Sequence, residues 1–372
     1  MKNNVVILED NSLLNQKINS YQNKKIYIPF SYISFLFLSI LLISNLYYTT
    51  KLVNYQKKDT QFLKNGNISY KIIYKYNSEE KNDQKYPNES KEIKDKFLSF
   101  INTSSIETTD LNILKVIENE IKEYIELTPE EQKFMNGLIR KIKPRKIVEI
   151  GVSKGGSAAL ILNAIKDIKG SKLFSIDKSI YCYRDENKKT GFVVEEKFPQ
   201  LLDKWSLYTG GLTSEFIETI GNGIDLVFID TMHIAPGEML DWLMVLPFLK
   251  NEAIVVFHDA FFLYYNKEVT KYKVHTSNNQ LLCYIRGELI LPQYGDSIFF
   301  RNIGALKLAP EQNKYYYQYF LALGNQWEYM PSENDLKLMR DFFMKYYGKN
   351  YVEIYDDALE KNKIYLNNLN KK

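Results

Sequence analysis

The sequence predicts an α/β fold: a doubly wound, mostly parallel sheet, preceded by a transmembrane helix and a polar stalk and followed by a helical tail. Between residues 146 and 260, short apolar runs alternate with segments of helical periodicity, the arrangement that joins parallel strands through crossover helices. Runs such as AIVVF at 253–257 are apolar at every position, as strands covered on both faces are. Residues 26–48, IYIPFSYISFLFLSILLISNLYY, contain no Asp, Glu, Lys or Arg, and at about 1.5 Å per residue they can cross a hydrocarbon core of roughly 30 Å.

The chain has 372 residues, enough for one large domain with extensions. Its net charge is +4, and acids and bases are mixed along most of its length rather than gathered into a basic stripe, which argues against a nucleic-acid partner. The two cysteines, Cys182 and Cys283, are far apart and outside any Cys/His cluster, so neither a disulfide framework nor a structural zinc site is expected.

In order, residues 1–25 form a short N-terminal segment and 26–48 the membrane helix, with Tyr27, Tyr47 and Tyr48 near its ends as interfacial aromatics. Lys2, Lys17, Lys24 and Lys25 precede it and Lys51, Lys57, Lys58 and Lys64 follow it, so the positive-inside rule gives a tie on orientation. Residues 49–110 read as a polar stalk, and the domain proper runs from 111 to 310. It opens with two helices: LNILKVIENEIKEYIEL, with Leu111, Leu114, Ile117, Ile121 and Ile125 as its apolar face, and a second that Thr128 caps ahead of Pro129 and that runs to about Lys141. Strands are expected at 146–152, 172–177, 205–211, 224–230 and 253–260, with helices at 157–168, 191–202, 213–220 and 236–249. LLCYIRGELILP and SIFFRNIGALKL read as later strands, and 311–372 as a tyrosine-rich helical extension.

The stretch VEIGVSKGGSAALI, 148–161, ends the first strand in a glycine turn that opens a helix, a place where backbone N–H groups can receive a ligand. A phosphate-cradling G-x-x-x-x-G-K-[ST] loop fails, because Lys154 stands on the wrong side of Gly155. A G-x-G-x-x-G dinucleotide turn is weak, because position 153 is Ser. The pattern E-x-G-x-x-x-G-x-S fits Glu149, Gly151, Gly155 and Ser157, and with it the sequence from about 130 to 308 resembles class I S-adenosylmethionine-dependent methyltransferases, a Rossmann-like fold. The resemblance is to the catechol O-methyltransferase-like and cephalosporin-hydroxylase-like branch.

That resemblance implies cofactor roles. Gly151 and Gly155 would pass beside the methionine part of S-adenosylmethionine, Ser157 would bond its carboxylate and Glu149 would help orient it. The chemistry agrees, since a zwitterionic end needs both a donor and an acceptor. Asp177, ending the second strand about 20 residues after the turn, would accept the ribose hydroxyls. Tyr181, Tyr183 and Arg184, in a long connection, either line the pocket or decorate an insertion.

The resemblance also implies the reacting groups. Asp230 stands where the family has a metal-binding acid, and His233, three residues on, where the catechol branch has its lysine base; an imidazole accepts a proton near neutral pH. Asp259 matches a second metal-binding acid, but Ala260 replaces the Asn expected after it. A divalent cation such as Mg²⁺ on Asp230 and Asp259, joined or not by His258, and a metal-free route with His233 as base both remain open. The expected activity is O-methylation of a small molecule or saccharide by a single-pass membrane protein whose domain faces the cytoplasm. The rivals are a nicotinamide-dependent oxidoreductase on the same fold and a non-catalytic, membrane-tethered interaction module.

Overall fold

The computed structural model describes residues 108–260, 277–292 and 302–369. The predicted membrane helix at 26–48 and the stalk up to residue 107 lie outside these; among the described residues no helix is long and apolar enough to cross a membrane.

Helix α1, Leu111–Ile121, buries Ile113, Ile117 and Ile121. This strict i, i+4, i+8 stripe leaves Leu111 on the surface, and Ile125 falls beyond the helix end, which narrows the apolar face expected from the sequence. Asp110 caps α1 by accepting from the N–H groups of Asn112 and Ile113. Helix α2, Pro129–Ile142, starts with the expected cap: Glu131 N–H donates to Thr128 Oγ1, and Thr128 N–H donates to the Glu131 carboxylate at 2.7 Å.

From there strand and helix alternate. In chain order they are β1 (Lys146–Ile150), α3 (Gly156–Ile165), β2 (Lys172–Asp177), a small hairpin of β3 (Tyr181–Cys182) and β4 (Asp185–Lys189), and α4 (Phe192–Lys197). Next come β5 (Trp205–Thr209), α5 (Thr213–Ile220), β6 (Ile224–Ile229), α6 (Gly237–Val245) and β7 (Leu249–Phe257). The long connection of unassigned role is thus the β3–β4 hairpin. The helix expected at 191–202 stops at Lys197, because Pro199 cannot continue its hydrogen bonding, and a 3-10 turn takes the chain to Lys204.

Five strands run parallel in the order β5-β2-β1-β6-β7, and two more, β9 (Gly304–Leu308) and β8 (Gly287–Ile290), are added antiparallel beyond β7. The strand expected at 281–292 begins instead as helix α7, Ser277–Leu282, and becomes strand only at Gly287. Ser277 explains the start: its N–H donates to the carbonyl of His233 and its hydroxyl to that of Ile234, so the segment is pinned to the loop after β6.

The sheet has a core on each face, and the two-residue period of the strands sorts side chains between them. Ile147, Leu173, Leu226, Phe228 and Val256 meet α1 to α4 on one face. Val148, Ile150, Val227, Ile229, Val255 and Phe257 meet α5, α6 and the tail on the other. The tail is helical as expected: α8 (Tyr316–Ala322), α9 (Glu333–Tyr346) and α10 (Lys349–Leu369). Trp327, Phe320, Phe343 and Tyr355 are buried in the same core as Trp242 of α6, and Tyr319 meets the Trp242 ring edge-on at 5.7 Å. The tail also braces two loops at the carboxyl edge of the sheet: Glu328 N–H donates to Ala235 O at 2.9 Å, and Lys178 pairs with Asp335.

Because Phe343 lies against both Phe320 and Tyr355, with ring centroids at 5.3 and 5.2 Å, Phe343→Ala opens a cavity in this shared core. The expected loss is about 3–5 kcal/mol, read as a lower urea midpoint; an unchanged midpoint would mean that the tail contributes nothing to the fold of the sheet.

Candidate active site

The strand order reverses between β1 and β6: the chain builds β2 and β5 on one side of β1, then crosses to place β6 on the other. Ligands of open α/β sheets bind at the carboxyl ends of the strands flanking such a switch. Both groups of sequence-selected residues lie there, the glycine turn after β1 and Asp230 to His233 after β6.

The two strand ends touch. Gly151 has φ +92°, and a Cβ on it would lie 1.8 Å from the carbonyl oxygen of Asp230, so no other residue fits. Gly155, at the start of α3, also has positive φ. Between them Ser153 is left-handed at φ +53°, a strained conformation for a side-chain-bearing residue and one that clusters at functional sites.

Beneath the turn, Glu149 is completely buried on the face of α3. Ser157 Oγ donates to its Oε1 and Ser175 Oγ to its Oε2, each at 2.6 Å, and the Trp205 indole N–H donates to Ser175 Oγ. Burial, only partly offset by the two hydroxyls, pushes the Glu149 carboxyl up to about 7. Near neutral pH it therefore exchanges between two states: ionised, it takes the Ser157 proton; protonated, it can donate to Ser157 and leave that hydroxyl free to donate outward.

Asp177 turns its carboxylate toward the glycine turn. Val152 N–H and Ser153 N–H donate to Oδ2 at 2.9 and 3.1 Å, and Ser179 N–H donates to Oδ1 at 2.8 Å. The ends of β1 and β2 are thus tied together, and a carboxylate with about four acceptor sites retains capacity for a ligand hydroxyl.

Across the switch, His233 Nε2 lies 2.9 Å from Asp259 Oδ2 and 4.0 Å from Asp230 Oδ1, and its Nδ1 lies 3.3 Å from Glu238 Oε1. His258 Nδ1 lies 3.3 Å from Asp230 Oδ1, and its Nε2 lies 3.5 Å from the capping Glu131. Each strand-end histidine is therefore set between an aspartate and a buried glutamate. Burial opposes charge on both imidazoles, but Asp259 and Glu238 hold His233, and Asp230 and Asp259 hold His258, well above the ordinary histidine value. Burial likewise opposes charge on Asp259, yet the two histidines keep it below the usual carboxylate range.

Asp259 is itself left-handed at φ +51° and accepts from the Asn302 amide at 2.7 Å. The amide missing at Ala260 is thus supplied next to Asp259 from 43 residues further along the chain. Asp230, His233 and Asp259 can each turn one ligand atom to within 4.8 Å of the others, and two carboxylates with one imidazole suit a hard divalent cation.

Sequence reasoning missed Glu131, Glu238, Asn302 and Asp241. Asp241 is buried and accepts from Thr213 and Thr231, both at 2.8 Å, stitching the start of α5 to the loop after β6. Its place eight residues after His233 carried no signal, and Glu131 was legible only as a cap. A broad cleft at the opposite, amino edge of the sheet, near Arg145 and Lys250, is remote from all of this, and Lys250 there is paired with Asp225.

For Glu149 the sign of the pH dependence follows from the raised value. The folded state holds its proton more tightly than the unfolded chain, so the stabilisation is complete below about pH 4.5 and is lost as pH rises through about 7. Glu149→Gln is expected to remove that loss, about 3 kcal/mol between pH 4 and pH 8 in urea unfolding. Parallel wild-type and variant curves would contradict it.

Residues 148–260 match a family model described as a methyltransferase domain. No curated protein matches the chain. Similar solved structures include the SAH-bound methyltransferase PaMTH1 of Podospora anserina, 15% identical, with 59% of this chain and 96% of that one covered at a TM-score of 0.40. Another is the SAM-bound O-methyltransferase TomG of Streptomyces achromogenes, involved in tomaymycin synthesis, at 14%, 59% and 96% with a TM-score of 0.38. A third is a Bacillus cereus O-methyltransferase in complex with SAH, at 16%, 58% and 97% with a TM-score of 0.37. The matched stretch, residues 148–260, carries the glycine turn at the switch point and the acid ending β2, and it is similar to a methyltransferase domain.

Proposed function

We propose that the enzyme methylates a hydroxyl group on a small molecule or saccharide, with His233 as the general base. The observation that carries this reading is the 2.9 Å contact of His233 Nε2 with Asp259 at the edge that also holds the cofactor turn. S-adenosylmethionine supplies an electrophilic methyl group, and the protein's tasks are to hold donor and acceptor in line and to remove the acceptor's proton. Gly151, Gly155 and Ser157, with Glu149 behind them, hold the amino-acid end of the cofactor, and Asp177 holds its ribose. Asp230 and Asp259 hold either a divalent cation such as Mg²⁺, which would lower the pKa of an acceptor hydroxyl, or the acceptor itself. The further boundaries, a stalk at 49–110, a domain from 111 to 310 and an extension from 311 to 372, belong to this reading. So does the anchor at 26–48 with the domain on the cytoplasmic side, where S-adenosylmethionine is made.

Two outcomes test the roles. His233→Asn is expected to slow methyl transfer by a factor of about 10² to 10⁴, measured with labelled S-adenosylmethionine against a panel of hydroxyl acceptors, while cofactor affinity stays unchanged. Turnover within a factor of two of wild type would exclude His233 as base. If the aspartates hold a cation, titration of the protein with Mg²⁺ alone gives saturable binding that Asp230→Asn and Asp259→Asn both abolish. Binding indifferent to both substitutions would leave the metal-free route.

A further inference from the structure

The β3–β4 hairpin has no part in the chemistry described so far, yet it is built onto the glycine turn. Its exit is fixed there: Gly191 N–H donates to Ser153 O at 2.9 Å, and a Cβ on Gly155 would lie 3.0 Å from Gly191 Cα. Thr190 closes its base, with its N–H donating to Ile180 O at 3.0 Å and its hydroxyl to Ser179 O at 2.7 Å. Cys182 on β3 is buried in the core shared with α1 to α4, and its Sγ lies 4.0 Å from Ser153 Oγ. The left-handed Ser153 is therefore enclosed between the hairpin and Asp177, which accepts from its N–H.

Next to Cys182 the chain turns a large side chain outward. Tyr183, at the tip of the hairpin, is 58% exposed. It is nonetheless held. Arg184 Cζ lies 4.9 Å from the Tyr183 ring centroid, and the same guanidinium is tied to the connection after α1, with Nη2 donating to Glu126 Oε2 at 2.7 Å and Nε lying 2.6 Å from Glu126 Oε1. One face of the ring is thus covered by a clamped cation, and the exposed remainder is free to meet a ligand. The hydroxyl is the enclosed end: burial, with the charges of Glu126 and Asp230, holds it well above the ordinary tyrosine value, and the Ser153 hydroxyl acts on it from the turn. Tyr183 stands between the glycine turn and the acid that follows β6. An aromatic ring already fixed in place loses little rotamer freedom when it covers a ligand.

We propose that Tyr183 is a cofactor-binding residue: the hairpin holds its ring against the turn at Ser153, so that its open face packs on the methionine end of S-adenosylmethionine. The inference rests on the cofactor assigned above to the glycine turn, and it can be tested without knowing the acceptor.

Calorimetric titration of the full-length protein with S-adenosylmethionine provides the first readout. Tyr183→Ala is expected to weaken binding about 10- to 100-fold, the contact of roughly one aromatic side chain, while Tyr183→Phe, which keeps the ring, stays within a factor of about 3. A second readout needs no truncated side chain. With 3-fluorotyrosine placed at position 183 alone, its single ¹⁹F signal is expected to shift as S-adenosylmethionine is added and to saturate along the same curve as the heat. Wild-type affinity in Tyr183→Ala, or a ¹⁹F signal that stays put while S-adenosylmethionine binds, overturns the proposal and leaves the cofactor reading standing. Equal losses in Tyr183→Ala and Tyr183→Phe overturn it as well, since they place the effect in the hydroxyl. No binding of S-adenosylmethionine to the wild type would sink the cofactor reading itself, and this inference with it.

Discussion

The site depends on one steric fact: Gly151 has no side chain. With φ +92° and the Asp230 carbonyl where its Cβ would be, the carboxyl ends of β1 and β6 close onto each other across the switch in strand order. Asp230 N–H donates to Ile150 O and Gly151 N–H to Ile176 O, so the contact continues the ladder instead of interrupting it. The glycine turn and the end of β6, to which cofactor binding and the reacting groups are assigned in the proposed function, are thereby held at one edge. The proposed methyl transfer would require this, because an in-line displacement gains most from fixed donor–acceptor geometry.

Around that contact the protein concentrates groups that would be unstable apart. Four carboxylates, Asp230, Asp259, Glu131 and Glu238, surround two imidazoles. Each imidazole offsets charge that burial would otherwise penalise, and each carboxylate supports the charged imidazole. Asp259 adds a left-handed backbone, a strain of order 1–3 kcal/mol that persists only where the surroundings over-determine it. Asn302, His233 and the neighbouring His258 provide that constraint. The tail contributes at longer range: its aromatic residues complete the core beneath α6, and its backbone and Asp335 brace the loops that carry Ala235 and Lys178.

The sheet was legible in the sequence because its five parallel strands are apolar runs ending in chemically distinctive residues. Lys172–Asp177 and the helix Thr213–Ile220 have the limits expected of them. The strand expected at 281–292 was only partly right, because contacts of Ser277 with the loop after β6 favour a helix to Leu282 before the strand at Gly287–Ile290. Glu149, Ser157, Asp177, Asp230, His233 and Asp259 could be singled out because each sits at a strand end or helix start. Glu131, Glu238, Asp241 and Asn302 could not, since each acts through a contact made by tertiary packing. Glu131 in particular has a sufficient local reason to exist as the cap of α2, which conceals its approach to His258.

The central claim is that this switch point binds S-adenosylmethionine through the glycine turn and Asp177. Its most direct test is calorimetric titration of the full-length protein with S-adenosylmethionine and, separately, with NAD, on wild type and Asp177→Ala. Saturable binding of S-adenosylmethionine alone, weakened about 10- to 100-fold in a folded Asp177→Ala, is the predicted result. No binding of S-adenosylmethionine, or binding of NAD in its place, would contradict it.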